Sequence, residues 1–120
     1  MPMQTIAVAV VGQSHLLRGA VCEDAYSIIT SDDRRWTSAV LCDGCGSSRH
    51  AAEGAQQTSN FLAKALLQLS ARLDAEGPGE WIIDEVVTAI ASLREDMRAA
   101  YGSDLREYSA TVVAAMVSEK

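Results

Sequence analysis

The stretch from Ala39 to Ser48 constrains this chain most. Ala39-Val40-Leu41-Cys42 is an apolar run, and it ends abruptly in Asp43-Gly44-Cys45-Gly46-Ser47-Ser48. A short apolar run closed by glycines reads as a buried strand. From about Arg49 onward the sequence turns helical. A carboxylate at the tip of a buried strand, beside glycines that leave backbone carbonyls open, suits a hard metal ion with a preference for oxygen donors. A second acidic pair, Glu23-Asp24, precedes the strand-like run Ala25-Tyr26-Ser27-Ile28-Ile29. Two acidic strand edges in one small domain point to a divalent-cation site.

The rest of the chain frames that site. Gln4 to Val11 alternates well enough to be a strand, and Gly12 to Cys22 is loop-like. Tyr26 to Thr30 and Trp36 to Cys42 read as strands. The polar turn Ser31-Asp32-Asp33-Arg34-Arg35 between them predicts an antiparallel hairpin. From Ala51 to about Leu73 the apolar residues Ala55, Phe61, Leu62, Ala65, Leu66, Leu69 and Leu73 recur at helical spacing. Ser47 or Ser48 is placed to cap that helix, and Glu53 lies where the dipole favours an anion. Gly77-Pro78-Gly79 breaks it. A second helix is expected from Trp81 to Tyr101, with Ile82, Val86, Ile90, Leu93 and Met97 on one face and Gly102 as its stop. Tyr108 to Val117 reads as a last strand. The order β-β-β-α-α-β predicts an α+β layered domain rather than a doubly wound sheet. The last strand is expected to offer an edge that a further element covers.

With 120 residues the chain fits one domain, taken as 1–120. The formal net charge of -6 argues against nucleic acid and anionic membranes as partners. An acidic protein still binds phosphate when metal ions supply the positive charge. No apolar run approaches the ~20 residues of a membrane helix. The odd count of 3 cysteines gives no disulfide framework, which suggests a reducing, cytoplasmic setting.

Four elements occur in a telling order: Gly12-Gln13-Ser14-His15, Cys22-Glu23-Asp24-Ala25-Tyr26, Asp43-Gly44-Cys45-Gly46, and Ser109-Ala110-Thr111-Val112-Val113. Together they resemble the first half of the metal-dependent type 2C (PPM) serine/threonine protein phosphatases. The resemblance implies a four-layer α-β-β-α sandwich, of which this chain is the N-terminal portion. It implies two Mn²⁺ or Mg²⁺ ions between the sheets. Asp43 would bridge them, Gly44 would offer its carbonyl, and Asp24 and Glu23 would act through metal-bound waters. A hydroxide held between the ions would attack the phosphorus of a phosphoprotein in line. Arg18 lies near the place of the family's phosphate-gripping arginine, and His15 is a second candidate for phosphate. The family's later aspartates have no counterpart here. A second chain or a C-terminal half would therefore complete the sandwich.

Two other readings stand beside this one. The chain is alternatively a non-catalytic module that binds a partner through its open edge. Cys42-x-x-Cys45 also has a thiol redox or zinc reading, with His15, Cys22 and His50 as further zinc donors. Against it, Cys42 reads as a small buried residue at a strand end. Asp32-Asp33 reads as a polar hairpin turn, His50 as exposed, and Arg94, Glu95, Asp96 and Arg98 as a solvated helix face.

Overall fold

The computed structural model describes residues 24–44, 50–102, 108 and 110–119. Six elements follow in chain order: β1 (Asp24–Thr30), β2 (Trp36–Gly44), α1 (Ala51–Leu67), α2 (Ser70–Glu76), α3 (Trp81–Tyr101) and β3 (Ala110–Ser118). The strand expected at Gln4–Val11 lies outside the described residues. The three strands form one antiparallel sheet in the order β1-β2-β3. The architecture is α+β, as the clustering of strands and helices predicts. No helix among the described residues is long and apolar enough to cross a membrane.

The hairpin turn sets the register. Asp33 Oδ1 accepts hydrogen bonds from the Ser31 hydroxyl at 2.6 Å and the Arg35 amide at 3.0 Å. These bonds hold its carboxyl below the usual carboxylate range. Arg34 takes a left-handed φ of 61° within this turn, and the Ser31 amide donates to the Trp36 carbonyl at 2.8 Å. Because side chains alternate along a strand, a slip of one residue would move every side chain to the opposite face. The turn is therefore what decides which residues of β1 and β2 meet.

One face of the sheet carries the core. Val40 and Cys42 of β2 pack with Ala55, Leu62, Ala63 and Leu66 of α1. The sheet-facing side of α1 is built from small residues: Ala51, Gly54, Ala55, Ser59 and Ala63 are all buried. They let the helix lie close to all three strands. Its closeness permits a buried hydrogen bond from the Ser38 hydroxyl to the Ala63 carbonyl at 2.7 Å. Burial of large side chains such as Leu62 and Leu66 contributes about 1.5–3 kcal/mol each.

The helical region departs from expectation in three places. The helix predicted to run to Leu73 ends at Leu67 and resumes as α2 at Ser70. At the joint the Leu69 amide bonds to the Leu66 carbonyl, three residues back, at 2.9 Å. The cause is tertiary. Asp74 accepts from the Trp36 indole at 3.0 Å and from Arg35 at 3.2 Å, which ties α2 to the hairpin. Arg72 lies over the Trp81 ring at 4.3 Å and bonds Glu76 at 2.7 Å, which fixes the corner into α3. Second, α1 starts after His50, which makes no side-chain cap; Ser47 and Ser48 lie outside the described residues. Third, Ile90 does not share the buried face of α3. Leu93 and Met97 are buried and Val86 and Ala89 pack against the core, while Ile90 is 47% exposed. Ile83, Val87 and Ile90 form a second, outward apolar stripe.

Candidate metal centre

The register brings the two acidic strand ends together. Asp24 stands directly opposite Asp43, and Asp43 directly opposite Thr111. Both aspartates lie within their strands rather than before or after them: β1 begins at Asp24 and β2 continues through Gly44. Antiparallel pairs alternate between hydrogen-bonded and non-hydrogen-bonded types. The Ser31–Trp36 bond starts that alternation. Asp24–Asp43, an odd number of pairs further on, is thus a non-hydrogen-bonded pair, the type whose Cα atoms approach to about 4.5 Å. Carboxylates directly opposite each other repel. A cation between them reverses the sign of that interaction.

Alternation also separates the chemistry of neighbouring residues. Asp24 and Asp43 are exposed on the face of the sheet away from α1, while Cys42 and Gly44 are buried. Burial pushes the Cys42 thiol up to about 11. A thiol redox or zinc site needs the opposite, a readily formed thiolate. Cys42 is thus a core residue, as its small apolar reading implies. Cys45 lies outside the described residues, as do Glu23, Arg18 and His15. Gly44 ends β2 in register with Ala110.

Between the row Asp24–Asp43–Thr111 and the pair Thr30–Thr37 at the hairpin end, the face that carries the carboxylates is apolar and open. Tyr26 and Leu41, then Val113 and Val117, line it, with Leu41 56% and Val113 70% exposed. Among the described residues no three His, Cys, Asp or Glu side chains converge. The donors present are two carboxylates and the backbone oxygens of a glycine-ended strand. Such hard oxygen donors fit Mg²⁺ or Mn²⁺ and suit softer, thiolate-preferring metals poorly.

Two features at this end of the sheet are not legible in the sequence. The Thr111 hydroxyl donates to the Asp43 carbonyl at 3.4 Å. Its position in the Ser109–Val113 motif is visible beforehand, but its contact is not. Nearby, the Tyr108 ring stacks on His50 at 4.9 Å and on Tyr101 at 4.4 Å between centroids. His50 Nδ1 lies 3.2 Å from Glu53 Oε1. The His50 side chain is 39% exposed, in keeping with its sequence reading, and its ring is stacked. The grooves between α1 and α3, about 400 and 460 Å³, are lined by residues such as Phe61, Leu66, Val86 and Met97, with no sheet carboxylate.

Residues 11–120 match the family model described as protein phosphatase 2C. No curated protein and no solved structure matches the chain.

Proposed function

The chain belongs to the protein phosphatase 2C family, and from that premise we propose that it serves metal-dependent hydrolysis of phosphoserine and phosphothreonine on proteins. The observation that supports this reading is the cross-strand pair Asp24–Asp43 on the open face of the sheet. Asp43, Asp24, the Gly44 carbonyl and Glu23 would hold Mn²⁺ or Mg²⁺. When bound, such ions lower the pKa of water and neutralise charge on the phosphoryl oxygens. The aspartates hold two negative charges at fixed positions on a rigid ladder. Arg18 and His15 are assigned to the phosphate. With a net charge of -6, bound cations would offset the repulsion that a phosphate ester meets.

The finer architecture belongs to the same proposal. The apolar side chains Tyr26, Leu41, Val113 and Val117 are the inner surface that a second sheet covers, at the ~10 Å spacing of packed sheets. That sheet would bring the remaining carboxylates and exclude water from the site. Residues 1–120 are then part of one such domain.

The test is hydrolysis of p-nitrophenyl phosphate and of a phosphothreonine peptide, with and without Mn²⁺, beside Asp43→Asn. Metal-dependent turnover is expected. Asp43→Asn should lower it by more than the ~10–100-fold that loss of an outer-shell partner costs. A folded protein, at its natural length, that shows no turnover with Mn²⁺ refutes catalysis and leaves the partner-binding module.

A further inference from the structure

We propose that the outward stripe of α3 is the contact through which two copies of this chain pair, antiparallel, about a two-fold axis at Val87. This contact is independent of the phosphatase reading: α3 packs on α1, and the carboxylates lie on the face of the sheet away from α1. Apolar residues exposed singly on a surface need no partner. Those of α3 are aligned. Ile83 is 65% exposed, Val87 60% and Ile90 47%, and steps of four and three residues put them on one line along the helix. Leu93 and Met97 are buried, and Val86 and Ala89 pack against the core. The helix thus carries two apolar lines, and the described fold covers one of them.

The ends of the exposed line specify what fits it. The line continues to Glu80 at one end and to Arg94 at the other, again at steps of three and four. Among the described residues neither of these side chains has an ion-pair partner. By contrast, Arg98 pairs with Glu95, and Arg72 with Glu76 and Glu85. The row therefore reads acid, three apolar residues, base, with Val87 midway between the charges. Such a row is complementary to its own reverse. When a second copy is turned end for end about Val87, Glu80 meets Arg94 of that copy and Ile83 meets its Ile90. Each pair occurs twice, because a two-fold contact is isologous. A parallel pair would set like charges together at both ends, which is unfavourable. The helix macrodipoles favour the antiparallel arrangement as well. A shallow crossing of about 20° keeps two helices in contact along a row of this length, ~21 Å at 1.5 Å per residue. The contact is small, below the ~1,200 Å² of standard interfaces, so the pairing is reversible and concentration-dependent.

Sedimentation equilibrium of the protein at its natural length, over a range of concentrations up to about 1 mM, reads the association directly. A monomer–dimer equilibrium is expected. Val87→Asp should weaken it by more than tenfold, with the circular dichroism of the monomer unchanged, because Val87 faces water in the monomer. Glu80→Arg and Arg94→Glu should each weaken it by about tenfold, since two exposed ion pairs become two like-charge contacts. An equimolar mixture of the Glu80→Arg and Arg94→Glu proteins should associate as the wild type does, because only the mixed pair restores opposite charges at both ends. A wild type that stays monomeric throughout overturns the proposal. So does a dimer that Val87→Asp leaves intact, which would place the contact elsewhere. If Val87→Asp unfolds the monomer, the stripe belongs to the interior of the chain itself and the proposal fails. Charge variants that associate normally, or that do not recover on mixing, overturn the antiparallel pairing.

Discussion

At the scale of single residues, Cys42 and Asp43 divide a structural task from a chemical one. They are adjacent in sequence and on opposite faces of the sheet. The thiol is 3% exposed and sits against α1; the carboxylate faces out. Burial raises the Cys42 thiol from 9.0 to about 11. The folded state therefore holds that proton where the unfolded state has released it. Its contribution to stability is full below pH 9.0 and is lost as pH rises through about 11. Urea unfolding of wild type and Cys42→Ala across this alkaline range should show a decline in the wild type that the variant lacks. A native protein alkylated rapidly at Cys42 by iodoacetamide at neutral pH would contradict the assignment.

At the scale of elements, the decisive contact is between α1 and the segment that leads into β3. A Cβ at Gly54 would overlap the Tyr108 carbonyl and lie against its neighbouring backbone atoms. Backbone cannot swing aside as a flexible side chain does. The position is helical, so alanine would ordinarily gain about 1 kcal/mol over glycine. Here the sign reverses: Gly54→Ala should cost a net ~1–3 kcal/mol, the usual penalty of overpacking. It should also disturb the stack of Tyr108 on His50 and Tyr101. Chemical denaturation gives the first quantity and near-ultraviolet circular dichroism the second. A stabilised Gly54→Ala would mean that the segment at Tyr108 does not cross α1 so closely.

At the scale of the whole molecule, α1 covers β1 and β2 on one side of the sheet, leaving Val112 and Ala114 of β3 exposed there, and the other side presents an apolar row. Tyr26, Leu41 and Val113 form one cross-strand row on that side, with Val117 further along β3 on the same face. The sandwich reading places it in an interior. Val113→Lys in the protein at its natural length should then cost about 2 kcal/mol or more, the penalty of a buried charge without a partner. A change within ~0.5 kcal/mol, as on an ordinary surface, would show that this face meets water. Equilibrium urea unfolding measures the difference directly.

Much of this was written in local sequence. Period-2 and period-3.6 patterns depend on neighbours along the chain, so the hairpin, the helix over Trp81–Tyr101 and its stop at Gly102 were readable. So was Asp43, because an apolar run that ends in Asp-Gly is visible without any partner. The ordered motifs also carried the family. What the pattern did not contain is which surfaces meet. Ile90 and Ala89 both satisfy a helical repeat, and only packing on α1 selected Ala89 for the inside. The break at Gln68–Leu69 has no local breaker; Asp74 is drawn to Trp36 and Arg35 across the fold. The pairing of Asp24 with Asp43, and of Asp43 with Thr111, joins residues distant in sequence. Register is a property of two strands and their turn, so composition and spacing determined the carboxylates, and the tertiary ladder alone decided that they face each other.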